Sequence, residues 1–301
     1  MPSWSSALER SASALAAQRL GQLRALRVAS IDSSNSALLQ AAQQGNTYPQ
    51  VLWADVQTAG RGRMGRVWHS APNPSAEPAQ QRSLTFCIAL PFAPQDWSGL
   101  SLVVGLAVAE VLGDSVALKW PNDICVRHAA GYAKLGGILL ETQALPEAAA
   151  AALAAQTGLH SAAARWLVIG LGLNLQGQPA GDLRAPAADL ARSLPKSQAA
   201  DLLVDVPALC SRLVLAILQA ALRFERTGFA PFAPAFDQRD VLLGQDLATY
   251  QDDQLGQTGL GLGVAPDGSY RLRLANGVEH TIHSAEISLR PSAQSMGNSF
   301  V

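Results

Sequence analysis

Three stretches of this chain carry residue types suited to holding anions. The first is residues 57–70, which interleaves Gly60, Gly62 and Gly65 with Arg61, Arg63 and Arg66 before reaching Trp68. Three interior glycines would cost a helix roughly 1 kcal/mol each relative to alanine, so the stretch reads as a loop. Glycine admits positive φ and close approach of backbone to a ligand, and successive N–H groups can form an anion-binding concavity. The arginines add forked donors matched to carboxylates and phosphates. No acidic residue between Asp55 and Glu77 neutralises them. A Walker A loop is excluded, because no Gly-Lys-Ser/Thr follows the glycines. The plain alternative is a solvated basic loop.

The second stretch is Lys119-Trp120-Pro121-Asn122-Asp123-Ile124. Pro121 removes a backbone donor and pushes Trp120 toward extended geometry, so a strand should end here with Lys119, Asn122 and Asp123 at its exit. A lysine can neutralise phosphate, and a carboxylate beside an amide oxygen can hold Mg²⁺. An ordinary Pro-Asn-Asp turn is the competing reading. The third stretch, residues 132–141, sets Lys134 before Gly136, Gly137 and an apolar strand ending at Glu141. An ammonium at the mouth of such a strand is costly unless it meets an anion or snorkels to solvent. Lysine occurs only at positions 119, 134 and 196 among 22 basic residues. Two of the three thus fall in these motifs, as if a compact ammonium were needed where a guanidinium would not serve.

The elements that must position these groups follow from periodicity and punctuation. Residues 27–31 read as a strand leading into Asp32-Ser33-Ser34-Asn35-Ser36, a polar cluster at a helix start. One of these residues should cap the helix at 37–43, and four short polar side chains exceed what a cap needs. Residues 51–56 and 83–90 read as strands, and 100–112 as a buried helix stopped at Gly113. Residues 71–82 read as a flexible loop and 148–164 as an Ala-rich inserted helix or low-complexity segment without chemistry. Residues 166–175 read as a central strand whose Gly170 and Gly172 admit close approach, with Asn174 at its exit. Residues 177–194 read as a mobile loop. Asp205 and Pro207 open an amphipathic helix that Gly228 stops. Beyond Asp240, short alternating segments at 246–250, 256–264, 270–274 and 281–283 are divided by Pro266-Asp267-Gly268 and Asn276-Gly277 turns, the pattern of a small β-barrel.

Composition bounds the function. The 301 residues, 49% hydrophobic and 15% charged, can build an ample core. A net charge of −1 argues against a general nucleic-acid coat. Cys87, Cys125 and Cys210 are odd in number, lack metal-type spacing and read as reduced core residues. The apolar run at 100–112 is too short to span a bilayer. The N-terminal 26 residues show helix-like apolar spacing at Leu8, Leu15, Leu20 and Leu23 and lack a secretory core.

The Arg/Gly loop, Lys-Trp-Pro-Asn-Asp-Ile, Lys-Leu-Gly-Gly-Ile-Leu, Ile-Gly-Leu-Gly-Leu-Asn and Glu286-Ile287-Ser288-Leu289-Arg290 occur in an order and spacing that closely resemble the biotin–protein ligases. The resemblance runs from about Arg27 to Arg290. It implies an α+β fold: a mixed β-sheet catalytic domain flanked by helices, similar to second-class aminoacyl-tRNA synthetases, with a C-terminal SH3-like β-barrel. The corresponding division is an N-terminal helical extension at 1–26, a catalytic domain at 27–238, a barrel at 239–290 and a disordered tail at 291–301.

The resemblance also implies activation of biotin by ATP, with Mg²⁺, to biotinyl-5′-adenylate, then transfer to a lysine of a biotin carboxyl carrier protein or domain. On it, Ser33, Ser34, Asn35 and Gln57 bind the ring end of biotin. Gly60, Arg61, Gly62 and Arg63 line the biotin and adenylate pocket with Trp68 beside it. Lys134 holds the carboxylate, and Gly137 and Gly170 give clearance. Arg63, Arg66, Lys119, Asn122, Asn174 and Arg290 serve ATP. Asn122, Asp123 and Asn174 surround Mg²⁺, and Lys134, Arg63 and Asp123 are the catalytic set, Asp123 also helping the acceptor amine. Two departures stand out: Ser34 occupies the place of the family's usual threonine, and no tryptophan follows Trp166 to cover the adenine. The expected setting is cytoplasmic, as a monomer or homodimer, with no nucleic acid or membrane partner and no room for a helix-turn-helix domain. Lipoate–protein ligases, which favour a different glycine-rich loop, and a non-catalytic interaction module are the alternative readings.

Overall fold

The structure, a computed structural model, describes residues 4–16, 22–69, 83–128, 131–157, 164–177, 186–251, 254–283 and 288–291. In chain order, α1 (Trp4–Ala16), β1 (Arg24–Ile31), α2 (Ser34–Gln43), β2 (Gln50–Gln57), β3 (Ser83–Phe92) and α3 (Leu100–Leu112) form the first half of the larger layer. It continues through β4 (Val116–Lys119), β5 (Asp123–His128), β6 (Gly131–Ala144), α4 (Glu147–Thr157) and β7 (Arg165–Asn174). Helices α5 (Leu190–Ser193), α6 (Lys196–Leu203), α7 (Val206–Thr227) and α8 (Ala233–Arg239) follow. The C-terminal strands are β8 (Asp246–Gln251), β9 (Gln254–Val264), β10 (Tyr270–Arg273), β11 (Glu279–Ile282) and β12 (Ser288–Pro291).

Seven strands make one mixed sheet in the order β1-β2-β3-β7-β6-β5-β4, parallel only between β1 and β2. Strand β7 is central, as the sequence implies. Side chains alternate between the two faces of a strand, and β7 shows the result. Leu167, Ile169, Leu171 and Leu173 join the main core with α3 and α7. On the other face, Trp166 and Val168 pack under α2 with Leu38 and Ala42. Gly170, Gly172 and Asn174 continue that second face: Asn35, in the first turn of α2, lies against Gly170, and a cavity opens from there onward. The site is therefore built at the edge of α2, on the part of the face that the helix leaves open.

Strand β6 contains an irregularity that matters for the site. Opposite it, Ile124 pairs with Gly136 and Cys125 with Lys134, so Leu135 is an extra residue. Such a bulge shifts the alternation by one. Tyr132 and Lys134 before it, and Gly137 and Leu139 after it, consequently all line the cavity. Ala133, Leu135 and Ile138 go to the core. Lys134 thus lies within the strand; the sequence had placed it ahead of one.

The five C-terminal strands form an antiparallel sheet in the order β11-β10-β9-β8-β12, consistent with an SH3-like domain. Its apolar face belongs to the same core as the larger layer, through Leu247, Val264, Tyr270, Leu272 and Leu289. Trp120 forms the joint: its ring lies 5.8 Å from that of Tyr270 and its Nε1 donates to Gly268 O at 3.1 Å. Asp240, only 2% exposed, accepts from Tyr270 Oη at 2.7 Å and from Leu242 N at 2.9 Å.

Helix α7 starts at the Asp205 cap, which accepts from Ala208 N, and stops at Gly228, as its sequence dictates. It is long and apolar enough to cross a membrane by length and composition, yet its apolar side packs against α3, α1 and β3. The N-terminal helix packs as well: Leu8 and Ala12 are fully buried, and Trp4 meets Trp53 edge-on at 5.0 Å. Leu15 lies on this helix, whereas Leu23 is buried outside it. Two corrections apply. Residues 186–194, expected as mobile loop, include a bridge from Ala187 to Lys134 and helix α5 capped by Asp189. Helices α6 and α8 were not anticipated. The expected loop at 71–82, residue Leu20, residues 158–163 of the Ala-rich segment, 178–185, Glu286, Ile287 and the tail at 292–301 lie outside the described residues.

Candidate active site

The cavity has a volume of about 410 Å³, within the range of small-molecule sites. One end is neutral and polar. Ser33 caps α2 by accepting from Ser36 N, so the cap consumes one member of the polar cluster. Ser34 and Asn35, both buried, are thereby turned toward the sheet. Gln57 Oε1 accepts from Ser34 N at 2.7 Å and from Ser34 Oγ at 2.9 Å. Asn35 Nδ2 donates to Glu141 Oε2 at 3.0 Å, and its Oδ1 accepts from Cys87 Sγ at 2.7 Å. Burial pushes the Cys87 thiol up to about 12, so it stays protonated and acts as a donor. Nothing local in the sequence places Cys87 or Glu141 here: Cys87 sits in an apolar strand, and its polar neighbours lie some fifty residues away.

At the centre, Lys134 Nζ donates to Asp123 Oδ1 at 2.5 Å, and Lys119 Nζ lies 3.8 Å from Asp123 Oδ2. Burial raises the Asp123 carboxyl, but Lys134 and Lys119 together outweigh it and hold the group below the usual carboxylate range. Burial pushes the Lys119 ammonium down against the pull of Asp123. Arg63, lowered by burial and supported by Asp123, donates to Asn122 Oδ1 at 3.4 Å. Arg66 and Arg290 complete a cationic end. Arg290 comes from β12, and its guanidinium lies 4.2 Å from the Tyr250 ring centre. Tyr132 faces the same end, with Lys119 Nζ 6.0 Å from its ring.

The Arg/Gly loop forms the wall between the two ends. Trp68 N donates to Gly60 O at 2.8 Å and Gly62 N to Arg66 O at 2.7 Å, closing a small hairpin. Of its glycines only Gly65 takes positive φ, 69°, and the preceding Met64 does so too, at 56°. Gly60 serves close approach instead, since a Cβ there would meet Trp68 O at 2.5 Å. Gly60 is also the one expected pocket residue that does not line the cavity; every other expected site residue does. Arg61 turns outward from the reaction centre, pairing with Glu141 Oε1 at 2.7 Å and Ser36 Oγ at 3.0 Å. The β7 glycines make room for protein side chains: a Cβ at 170 would meet Asn35 Oδ1 at 2.2 Å, and one at 172 the Trp68 ring at 2.4 Å.

The three residues expected around Mg²⁺ do share one wall but form no cage. The Asp123 carboxylate faces two ammoniums, Asn122 Oδ1 is taken by Arg63, and Asn174 Nδ2 donates to Ala188 O. No cluster of three or more His, Cys, Asp or Glu suited to a metal occurs among the described residues. A cation would compete there with Lys119 and Lys134, so this donor set does not fit a protein-held metal.

A model of the biotin/lipoate A/B protein ligase family matches residues 28–156. Over 282 residues the chain is 30% identical to the bifunctional ligase/repressor BirA of Escherichia coli K12, covering 91% of this chain and 78% of that protein. The chain belongs to the biotin protein ligases of this family. A biotin–[acetyl-CoA-carboxylase] ligase of Mycobacterium tuberculosis is 39% identical over 123 residues, 38% of this chain and 42% of that one. Among solved structures, a biotin protein ligase from Aquifex aeolicus in complex with biotin and ATP aligns with a TM-score of 0.64 at 22% identity. It covers 89% of this chain and 99% of that one, a likeness that establishes the biotin ligase fold.

Proposed function

We propose that this chain is an ATP-dependent ligase that activates biotin as biotinyl-5′-adenylate and transfers it to a lysine of a biotin carboxyl carrier domain, such as that of acetyl-CoA carboxylase. The observation that carries the reading is the order of groups across one cavity. A neutral hydrogen-bonding end holds Ser34, Asn35 and Gln57; Lys134 sits at the centre; Lys119, Arg63, Arg66 and Arg290 gather beyond it.

In the first step a biotin carboxylate oxygen attacks the α-phosphorus of ATP and pyrophosphate leaves. Both reactants are anions, so fixed cations must offset their repulsion, and here they stand oriented before substrate arrives. Lys134 holds the carboxylate and the bridging phosphate. Asp123 fixes Lys134 by its short ion pair. In the second step the acceptor amine attacks the acyl carbon and AMP leaves. Held ionised by two ammoniums, Asp123 orients Lys134 and stands where its carboxylate can assist the acceptor amine. The Arg/Gly loop with Trp68 shields the adenylate from water. The working division is a catalytic domain at 27–238 with the helical extension packed on it and a small β-domain at 239–290 that delivers Arg290. The reading extends to a cytoplasmic setting.

The neutral end also favours biotin over lipoate. A ureido group both donates and accepts hydrogen bonds and so matches the polar groups of this end, whereas a dithiolane does neither. A site built from such polar groups rejects ligands lacking partners for them. Purified protein given ATP, biotin and an apo carrier domain should yield streptavidin-detectable carrier, and Lys134→Ala should abolish adenylate formation. Labelling by lipoate in place of biotin refutes the reading.

A further inference from the structure

The cavity end that holds Asn35 is organised by a residue with no assigned role. We propose that Glu141 is the positioning residue for ring-end recognition, orienting Asn35 with one carboxylate oxygen and tethering Arg61 of the covering loop with the other. The inference rests on the biotin reading above.

An asparagine amide can sit in two orientations that exchange its oxygen and nitrogen. Here both neighbours select the same one. Glu141 Oε2 can only accept, so the atom 3.0 Å away must be Nδ2. The Cys87 thiol donates, so the atom 2.7 Å away must be Oδ1. Gly170 leaves the space the oxygen occupies, where a Cβ would come within 2.2 Å. Asn35 therefore presents an acceptor to the cavity, which suits a ureido N–H. Without Glu141 the Nδ2 side loses its acceptor, and the competing orientation would offer the ligand's N–H another donor.

The second oxygen reaches the loop. Glu141 Oε1 pairs with Arg61 at 2.7 Å, and Arg61 in turn donates to Ser36 on α2, the helix that carries Asn35. One carboxylate therefore joins β6, α2 and the loop. Nothing else in the proposed chemistry uses it, and it lies at the far end of β6 from Tyr132.

The test compares Glu141→Ala and Glu141→Gln with the parent enzyme. The readouts are KM for biotin, KM for ATP, kcat for adenylate formation, and selectivity for biotin over octanoate, a carboxylic acid without a ureido group. In Glu141→Ala, KM for biotin should rise about tenfold or more, KM for ATP should stay within about twofold, and selectivity should fall. Glutamine can offer its oxygen to Asn35 but then presents N–H groups to Arg61. That variant should keep KM for biotin within about threefold of the parent and release more free adenylate into solution. The proposal is overturned if both KM values rise together, if selectivity is unchanged, or if glutamine behaves like alanine on biotin. Should Glu141→Ala fail to fold, the glutamine variant alone decides, through retained biotin KM with added adenylate release. A parent enzyme inactive on biotin would refute the biotin reading itself, a separate outcome.

Discussion

Gly172→Ala tests whether β7 is bare on this face in order to seat Trp68. A Cβ at 172 would lie 2.4 Å from Trp68 Cε2, 2.5 Å from Cζ2 and 2.9 Å from Nε1. Carbon atoms in contact prefer about 3.5–4.0 Å, so the indole must retreat by roughly 1 Å or more. The backbone of Trp68 is tied to Gly60 at the base of the loop hairpin, so the loop must move with the ring. Overpacking of this kind costs about 1–3 kcal/mol. At 1.4 kcal/mol per tenfold, that is roughly a 5- to 150-fold loss in the enzyme's hold on the adenylate. The assay is a single turnover with labelled biotin and ATP and no carrier, followed by separation of enzyme-bound from free adenylate. The bound fraction should fall in Gly172→Ala. The same substitution in a Trp68→Ala background should cost little more than Trp68→Ala alone, because the clash is gone. Retention within twofold of the parent, or full additivity of the two changes, would sink the argument.

Asp123→Asn leaves Lys119 and Lys134 facing a neutral amide. The parent carboxyl is held low, so its contribution to stability is present above the ordinary carboxylate range, about pH 4, and is lost as pH falls through its folded value. The variant should melt lower at pH 7, with the gap narrowing in acid, and should form adenylate roughly a hundredfold more slowly; a pH-independent gap contradicts this. Asp240 behaves oppositely: burial raises it to about 6 despite hydrogen bonds from Tyr270 and Leu242. Its contribution is fullest below about pH 4 and declines by about 3 kcal/mol as pH rises past 6. Denaturant unfolding should therefore show Asp240→Asn gaining on the parent between pH 4 and 7, and a constant difference would count against the buried charge. Leu8→Ala removes a fully buried side chain of the N-terminal helix. It should cost about 2–5 kcal/mol by denaturant titration, and a loss under 0.5 kcal/mol would mean that α1 is dispensable.

The sequence made the faces of elements legible, but not which faces meet. Asp205 and Gly228 bracket α7 because caps and stops are local chemistry. The alternation through Trp166–Leu175 reads as a buried strand because both of its faces are apolar. Gly170 and Gly172 announce close approach, yet nothing local says that the approaching groups are Asn35 and Trp68. The pairing of Asn35 with Glu141 spans 106 residues and that of Arg61 spans 80, and only the sheet order brings them together. Helices α6 and α8 escaped notice for a different reason: they are short, and their amphipathic signal is brief. The cationic end was more legible, because scarce lysine in an arginine-preferring chain marks positions where the shape of the charge matters.

The extra residue at Leu135 has a consequence for how this chain can change. Residues of β6 face the cavity at 132 and 134, then at 137 and 139, an even step, an odd step and an even step. Removing Leu135 itself would make the odd step even, so pairing with β5 would become regular while Tyr132 and Lys134 kept the cavity face. Removing a residue from the regular stretches on either side, Ala133 or Ile138, would instead turn the side chains beyond it to the opposite face. The site is thus encoded partly as a count of residues, and the bulge is where that count has one to spare.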